Sequence, residues 1–235
     1  MSYFGGKGGM GVHQTIINQI PPHYTFISGF AGKCAVYRNL KKARKNFIID
    51  KDESLEDWWY KEHGYLDFII DDFFNINNTD QSPKELSLNN QLWRLWVEDK
   101  ETFIYLDPPY LKSTRKSDRN IYKHELTEDE HIKLLAIIKK LPCMVGISHY
   151  PCDLYDTELA DWRKITFSSQ TRKGMATEAF YMNYEVPGEL HDYRYLGGDY
   201  KQRERIKKKF DRWKKNFENL PLLEQEQRKR FIETL

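Results

Sequence analysis

The chain has 235 residues, of which 40% are hydrophobic and 14% aromatic, a content that suits one ordinary globular domain with a substantial core. No apolar run approaches the roughly 20 residues that span a bilayer. The first residues are polar and glycine-rich where a signal peptide would be apolar, so we expect a cytoplasmic protein. Cys34, Cys143 and Cys152 lack metal-ligand spacing, which argues against a zinc site or a disulfide framework.

The net charge of +2 conceals an uneven distribution of charge along the chain. Lysine and arginine concentrate in residues 38–45, in residues 112–123 and after residue 201, whereas residues 50–80 are acidic. Basic patches of this kind suit the phosphates of a nucleic acid. The alternative is that each patch is simply the solvated face of a helix.

Short apolar runs bounded by turn residues alternate with amphipathic stretches, a pattern that predicts an α/β fold around a sheet. Thr127 and Glu130 form the signature of a capping box ahead of an apolar helical stripe. The predicted strands are 25–28, 46–49, 67–70, 102–106, 143–148, 164–167 and 178–184. The predicted helices are 11–20, 35–40, 54–62, 87–98, 127–140 and 154–160.

After Gly197 and Gly198 the composition becomes strongly charged. Apolar residues recur every three or four positions, which predicts a long amphipathic helix that packs back on the core: Ile206, Phe210, Trp213, Phe217 and Leu220. We therefore predict a main domain over residues 1–198 and a basic helical extension over residues 199–235.

The most informative segment is an apolar run, residues 103–106, that stops at Asp107-Pro108-Pro109-Tyr110. Proline donates no hydrogen bond to a sheet ladder, so the strand must end here. In open α/β sheets ligands bind at the carboxyl ends of strands, which makes Asp107 a candidate catalytic residue.

Methylation of an exocyclic amine on adenine requires acceptors that hold the amine and support its developing positive charge. Asp107 and the carbonyl of Pro108 supply such acceptors, while Pro109 stiffens the turn and Tyr110 offers a ring on which a flipped base stacks. The alternative is an ordinary strand-ending turn, because Pro-Pro pairs are common there.

This tetrapeptide, after an apolar strand, resembles the catalytic motif of amino-group DNA methyltransferases. Further segments resemble the Dam-like (alpha-group) adenine methyltransferases, particularly their small phage and prophage members. The motif order, with the cofactor loop ahead of the tetrapeptide, is also that of the Dam-like group. The matching segments are residues 3–7, 26–36, Asp50, Asp72, 124–127, 148–150, 154–155, 161–163 and 177–183.

The resemblance implies a Rossmann-like methyltransferase fold, in which a mostly parallel central sheet carries helices on both faces. It also implies S-adenosyl-L-methionine as cofactor, double-stranded DNA as partner, methyl transfer to adenine N6, and neither a metal nor a membrane. The implied cofactor-binding residues are Tyr3, Phe4, Gly6, Lys7, Phe30, Ala31, Gly32, Asp50, Asp72 and Asp107. Independently, an acidic residue that closes the second strand is well placed to accept hydrogen bonds from a ribose diol.

The cofactor loop departs from the family pattern, which usually has an acidic residue at position 28, a proline at 29 and a small residue at 33, where this chain has Ser28, Gly29 and Lys33. Two alternative functions stay open, and the departures in the cofactor loop support the first of them. One is a catalytically weak or inactive DNA-binding subunit of a modification system, and the other is a methyltransferase that acts on RNA.

Little sequence beyond one helix separates the cofactor half from the catalytic strand, so we assign target recognition to the loop that follows the tetrapeptide. Arginine suits guanine edges and lysine suits phosphates, although a mobile solvated loop has the same composition. The predicted DNA-binding residues are Lys112, Arg115, Lys116, Arg119 and Tyr122 in this loop, with Arg172 and Lys173 in a second basic turn.

Overall fold

The structure is a computed structural model that describes residues 7–9, 11–64, 67–76, 96–115, 121–171 and 174–234. Its centre is a sheet of seven strands in the order β3-β2-β1-β4-β5-β7-β6. The strands are β1 (Thr25–Gly29), β2 (Lys45–Asp50), β3 (Asp67–Ile70), β4 (Thr102–Leu106), β5 (Met144–His149), β6 (Arg163–Thr171) and β7 (Gly174–Met182).

Strands β1 to β5 pair in parallel, and β7 runs antiparallel to both β5 and β6. The strand order reverses beside β1, which is the switch point of a doubly wound sheet. The predicted mixed α/β, mostly parallel, Rossmann-like fold is therefore confirmed.

The helices are α1 (Val12–Ile17), α2 (Ala35–Asn39), α3 (Glu56–His63), α4 (Phe73–Ile76), α5 (Glu128–Ile138), α6 (Asp153–Glu158), α7 (Tyr200–Glu218) and α8 (Leu222–Glu233). The capping box at the start of α5 is confirmed, because Thr127 and Glu130 exchange both expected hydrogen bonds. The helix predicted over residues 87–98 lies mostly outside the described residues.

Helices cover both faces of the sheet, as the alternation of buried side chains along β1 indicates. Ile27 belongs to the core cluster that includes Leu134 and Ile138 of α5. The preceding residue, Phe26, contacts Tyr37 of α2 with ring centroids 5.5 Å apart. Successive residues of one strand thus pack against different helices.

The hairpin of β6 and β7 begins earlier and reaches further than the sequence predicts. The predicted strands were 164–167 and 178–184, whereas the paired strands span Arg163–Thr171 and Gly174–Met182. Residues 168–171 are Ser-Ser-Gln-Thr, which lack the apolar alternation that marks a strand but still form backbone pairs as far as Thr171 and Gly174.

The chain divides into two compact units, Met1–Asp192 and Tyr193–Leu235. The predicted boundary after residue 198 lies inside the second unit, and the packing of the extension stays a prediction. Within that unit, Phe210 and Trp213 of α7 meet edge to face at 5.3 Å. Among the described residues, no helix is both long and apolar enough to cross a bilayer.

Candidate active site

A pocket opens at the carboxyl ends of β1 to β4, where parallel strands present their ends along one edge of the sheet. Its lining comes from the segments that follow β1, β2, β3 and β4, together with Lys7, residues 122–124 and Leu126. All the predicted cofactor-binding residues that the structure describes line it: Lys7, Phe30, Ala31, Gly32, Asp50, Asp72 and Asp107. Tyr3, Phe4 and Gly6 lie outside the described residues.

The loop after β1 is held in an unusual backbone conformation. Phe30 has a φ of 53° and is the sole non-glycine residue with positive φ in the described part of the chain. A bulky residue in this region is strained, and such strain concentrates at ligand-binding loops. The Phe30 ring packs 5.5 Å from that of Phe73, so aromatic contact holds the strained residue in place.

Gly32 is fixed in this loop through both of its peptide groups. Its N–H donates to Asp50 Oδ2 at 2.7 Å, and its carbonyl accepts the indole N–H of Trp59 at 2.9 Å. Trp59 is fully buried on α3. Three segments that are distant in sequence therefore set the position of one glycine.

Asp50 closes β2 and accepts backbone hydrogen bonds on both oxygens, from Gly32 and, at 2.9 Å, from the N–H of Asp52. Burial raises the pKa of Asp50, although these hydrogen bonds act in the opposite direction. Asp72 follows β3, accepts the N–H of Phe74 at 3.0 Å and lies 3.3 Å from Lys51 Nζ. Each carboxylate keeps lone pairs for a ligand.

The departures from the family pattern have structural correlates at β1. Ser28 is buried within the strand and does not line the pocket. A Cβ atom at Gly29 would come within 2.7 Å of the Leu106 and Phe73 side chains, so this close approach requires glycine. Lys33 lines the pocket and places its Nζ 4.5 Å from the centroid of the Trp58 ring.

The predicted catalytic tetrapeptide follows β4 directly, and its carboxylate is paired. Lys7 Nζ donates to Asp107 Oδ1 at 2.8 Å, and the Lys7 side chain is only 3% exposed. Burial raises the pKa of Asp107 to about 6, against the opposing effect of Lys7. Burial disfavours the charge on Lys7, but Asp107 and Glu178 outweigh it and raise the Lys7 pKa above its ordinary value.

Tyr110 is buried, and its surroundings come from three other segments. Its hydroxyl donates to Glu178 Oε2 at 3.0 Å. Its ring lies 4.8 Å from the His149 ring and 4.6 Å from the Tyr150 ring, and Lys7 Nζ lies 4.7 Å from its centroid. The Tyr110 ring therefore already has a cation over it.

His149, the last residue of β5, holds the backbone just after the tetrapeptide. The N–H of Leu111 donates to His149 Nε2 at 3.0 Å, and His149 Nδ1 lies 2.7 Å from the carbonyl of Tyr150. These contacts require the neutral tautomer with its proton on Nδ1. Burial lowers the pKa of His149 to about 3, which keeps the ring neutral.

The loop after the tetrapeptide is organised by Glu125. Its carboxylate binds Arg115 through two hydrogen bonds of 3.0 and 2.6 Å and accepts the backbone N–H groups of Ile121 and Tyr122. The Arg115 side chain is only 5% exposed and is engaged in this ion pair. Lys112 is exposed, and Tyr122 lines the pocket. Lys116, Arg119, Arg172 and Lys173 lie outside the described residues.

Sequence reasoning did not select Glu178, His149, Glu125 or Trp59 as functional residues. The first three stand within or beside segments that resemble the family, yet none belongs to a short motif with its own chemistry. A signal for His149 exists, because it ends a strand next to β4 in the sheet. Glu178 lies on an antiparallel strand, so the rule that ligands bind at the carboxyl ends of parallel strands does not identify it.

A family model described as "D12 class N6 adenine-specific DNA methyltransferase" matches residues 84–168. The matched stretch runs through β4, the tetrapeptide and α5 into β6, and covers little more than a third of the chain. It supports an enzyme of an adenine DNA methyltransferase family. Together with the strand order it also supports S-adenosyl-L-methionine as the cofactor. The Dam-like subgroup and the phage origin stay predictions.

Several solved structures are distantly similar to this chain. A magnesium protoporphyrin IX methyltransferase from Synechocystis with bound S-adenosylmethionine is 11% identical, with 73% of this chain and 80% of that chain covered and a TM-score of 0.41. An rRNA methylase from Streptococcus thermophilus is 10% identical, with 72% and 92% covered and a TM-score of 0.41. No curated relative matches the chain in sequence.

Among the described residues, no group of three or more histidine, cysteine, aspartate or glutamate side chains is arranged to hold a metal ion. The three cysteines are free thiols. Burial raises the pKa of Cys34 to about 11 and that of Cys143 to about 12, so both are protonated at neutral pH.

Proposed function

We propose that this protein transfers a methyl group from S-adenosyl-L-methionine to the exocyclic amine of an adenine that has been flipped out of double-stranded DNA. The observation that carries the proposal is the position of Asp107, which directly follows β4 and lines the same pocket as Asp50 and Asp72. The family match over residues 84–168, which includes the tetrapeptide, supports the same reaction.

The residues of the pocket fit S-adenosyl-L-methionine in charge and donor set. Five aspartates and four lysines line the pocket, an excess of one carboxylate. The cofactor carries one net positive charge, because its carboxylate balances one of its two cationic groups. Asp50 would hold the ribose hydroxyls, Asp72 would lie near the adenine, and Phe30 would pack against the cofactor from the strained loop.

The bound cofactor supplies an electrophilic methyl group, and the chain supplies positioning and electrostatic stabilisation for its transfer. The Asp107 carboxylate and the Pro108 carbonyl would accept hydrogen bonds from the target amine and stabilise the positive charge that develops on its nitrogen. His149 holds the backbone of Leu111 and so limits movement of the tetrapeptide. Tyr122 lines the pocket beside Asp107 and gives a second ring, besides Tyr110, for a flipped base.

DNA would approach the loop of residues 111–123, which borders the same pocket. Lys112 is exposed and suited to a phosphate. Glu125 holds Arg115 and the backbone of Ile121 and Tyr122, so it fixes these three residues relative to one another. Lys116, Arg119, Arg172 and Lys173 complete the proposed DNA-binding set.

The test is a transfer assay with labelled S-adenosyl-L-methionine and unmethylated double-stranded DNA, followed by digestion to nucleosides. We expect N6-methyladenine with the wild-type protein and none with Asp107→Ala, while Glu158→Gln, which removes only a carboxylate that pairs with Lys139 on the surface, retains activity. RNA in place of DNA is the parallel substrate. Label in RNA alone would support the RNA methyltransferase, and failure to bind the cofactor would support the inactive DNA-binding subunit.

A further inference from the structure

Two carboxylates and one ammonium meet in a buried cluster at the end of β4, and Glu178 is the member that the proposed chemistry has not used. Lys7 Nζ lies 2.8 Å from Asp107 Oδ1 and 3.4 Å from Glu178 Oε2. The Glu178 side chain is 8% exposed, and its carboxylate also accepts the hydroxyl of Tyr110. A buried carboxylate requires such partners to remain in the fold.

Lys7 makes the contacts that the target amine would need. Its nitrogen donates to Asp107 and lies over the Tyr110 ring, 4.7 Å from the centroid. Asp107 has a second oxygen and could accept from both groups, but the ammonium and a stacked base cannot share one face of the Tyr110 ring. A base stacked on this face would therefore displace Lys7, and the nearby Glu178 carboxylate offers the ammonium an alternative partner.

We propose that Glu178 is a positioning residue that takes the ammonium of Lys7 when the target amine binds to Asp107. This inference rests on the proposed function. The move is short, because Lys7 is already within 3.4 Å of Glu178. It leaves Asp107 as a carboxylate acceptor, while Lys7 keeps a charged partner in a buried environment.

Glu178 also sets the charge of the centre. Lys7 and Asp107 alone are neutral together, and Glu178 makes the cluster negative by one. A net negative charge stabilises the positive charge that develops on the target nitrogen, and fixed charges in a buried site act strongly. Lys7 neutralises the charge of Asp107, and Glu178 restores one negative charge to the centre.

The pKa of Asp107 reports this arrangement, because Lys7 lowers it and Glu178 raises it. Neutralising Glu178 removes one cause that raises the Asp107 pKa and leaves burial and Lys7 in place, so we expect this pKa to fall. Other titratable groups also surround Asp107, and of these Tyr105, Tyr110 and Tyr150 are themselves affected by Glu178. The surrounding groups are Cys34, Tyr105, Tyr110, Tyr122, Tyr150 and Tyr155.

The experiment compares wild type with Glu178→Gln, which keeps an oxygen acceptor for Tyr110 and removes the charge. Glu178→Asp keeps the charge, and Glu158→Gln is the matched control. The first readout is the titration of Asp107 in the cofactor-free protein, which ¹³C NMR of labelled carboxyl carbons monitors. The second is the single-turnover methylation rate as a function of pH, with cofactor affinity measured by calorimetry.

For Glu178→Gln we expect the Asp107 pKa to fall below the wild-type value of about 6. We also expect the rate at its pH plateau to drop on the order of a hundredfold, the scale for removing one electrostatic stabiliser, with cofactor affinity nearly unchanged. Glu178→Asp should recover much of the wild-type Asp107 pKa and of the wild-type rate. Glu158→Gln should match wild type in both quantities.

An unchanged Asp107 pKa, or a Glu178→Gln protein that methylates at the wild-type rate, would overturn the inference. A rate loss that Glu178→Asp does not relieve, with a lower melting temperature, would overturn it in favour of a structural role. If wild type itself fails to methylate DNA, the proposed function fails. The titration still decides whether Glu178 controls the charge at Asp107, so the two failures are distinguishable.

Discussion

Asp50→Asn replaces one carboxylate oxygen by an amide NH₂ group. It tests both the assignment of Asp50 to the cofactor and its role in holding the loop after β1. The aspartate accepts the Gly32 N–H at 2.7 Å and the Asp52 N–H at 2.9 Å, one on each oxygen. Asparagine keeps one acceptor oxygen and turns an amide NH₂ toward the other donor. A hydrogen bond to a charged group contributes roughly 1.5–3 kcal/mol. Because Asp50 is partly exposed, we expect the free energy of unfolding to fall by about 1–2 kcal/mol.

The effect on cofactor affinity should exceed the effect on stability. If Asp50 accepts the ribose hydroxyls, its neutral replacement weakens those bonds by roughly 1.5–3 kcal/mol, or about 10- to 100-fold in Kd. Calorimetric titration with S-adenosyl-L-methionine measures the affinity, and urea denaturation measures the stability of the same samples.

Asp52→Asn is the matched control for this experiment. Asp52 caps the turn at Ser54 and pairs with Lys123, but it makes none of the contacts with Gly32. Asparagine caps the turn as aspartate does, so we expect a stability close to that of wild type. Because Asp52 lines the pocket, its charge bears on the cofactor, but we expect a smaller loss of affinity than Asp50→Asn gives. Equal affinities of Asp50→Asn and wild type would refute the ribose assignment, and an unchanged stability would refute the account of the loop.

Three further predictions concern the rest of the site. Trp59→Phe removes the donor to the Gly32 carbonyl and leaves a cavity, so the free energy of unfolding should fall by about 2–4 kcal/mol in urea denaturation, and an unshifted midpoint would contradict this. Glu125→Gln weakens the bidentate pair with Arg115 and should lower the free energy of unfolding by about 2–3 kcal/mol, which is less than the loss for a fully buried ion pair. The affinity for DNA, measured by fluorescence anisotropy, should fall, while the affinity for the cofactor should not. Since the Asp107 pKa is raised to about 6 and the carboxylate is the acceptor, the single-turnover rate should fall about tenfold per pH unit below pH 6, and a flat profile to pH 4.5 would exclude this role.

The sign of the Asp107 effect on stability is opposite to its effect on rate. Its folded pKa, about 6, lies above the ordinary value of 3.8, so the folded protein binds the proton more tightly than the unfolded chain does. This group therefore makes the folded state less stable as the pH rises from about 4 to 6. The ionised carboxylate that methyl transfer requires is thus the form that the fold disfavours.

The sheet could be predicted from the sequence because its signals are local. The five parallel strands are short apolar runs, and the predicted runs match β1 to β5 to within a residue or two. The tetrapeptide was equally accessible, since two prolines after an apolar run must end a strand. The acidic residue at the end of β2 followed from the general geometry of nucleotide-binding sheets.

The hairpin and the loop network were less predictable because their signals are not local. Residues 168–171 join a strand through backbone pairing alone, so their polar side chains gave no indication of it. Arg115 was assigned to DNA from its charge, and its two hydrogen bonds to Glu125 could not be inferred from composition. Charge identifies which residues can bind phosphate, but only the fold determines which of them are already paired.

The same distinction explains why Asp107 was found and Glu178 was not. A parallel strand delivers its last residue to the ligand edge of the sheet, so a carboxylate at its end is conspicuous in sequence. β7 runs the other way, and the residue it delivers to that edge, Glu178, lies in the middle of the strand, where the exposed alternating part gives way to a buried run. Lys7 lies 100 residues from Asp107 and makes the link between the two carboxylates. The antiparallel strand thus adds a negative charge to a site otherwise built from parallel strand ends, and that charge offsets the lysine.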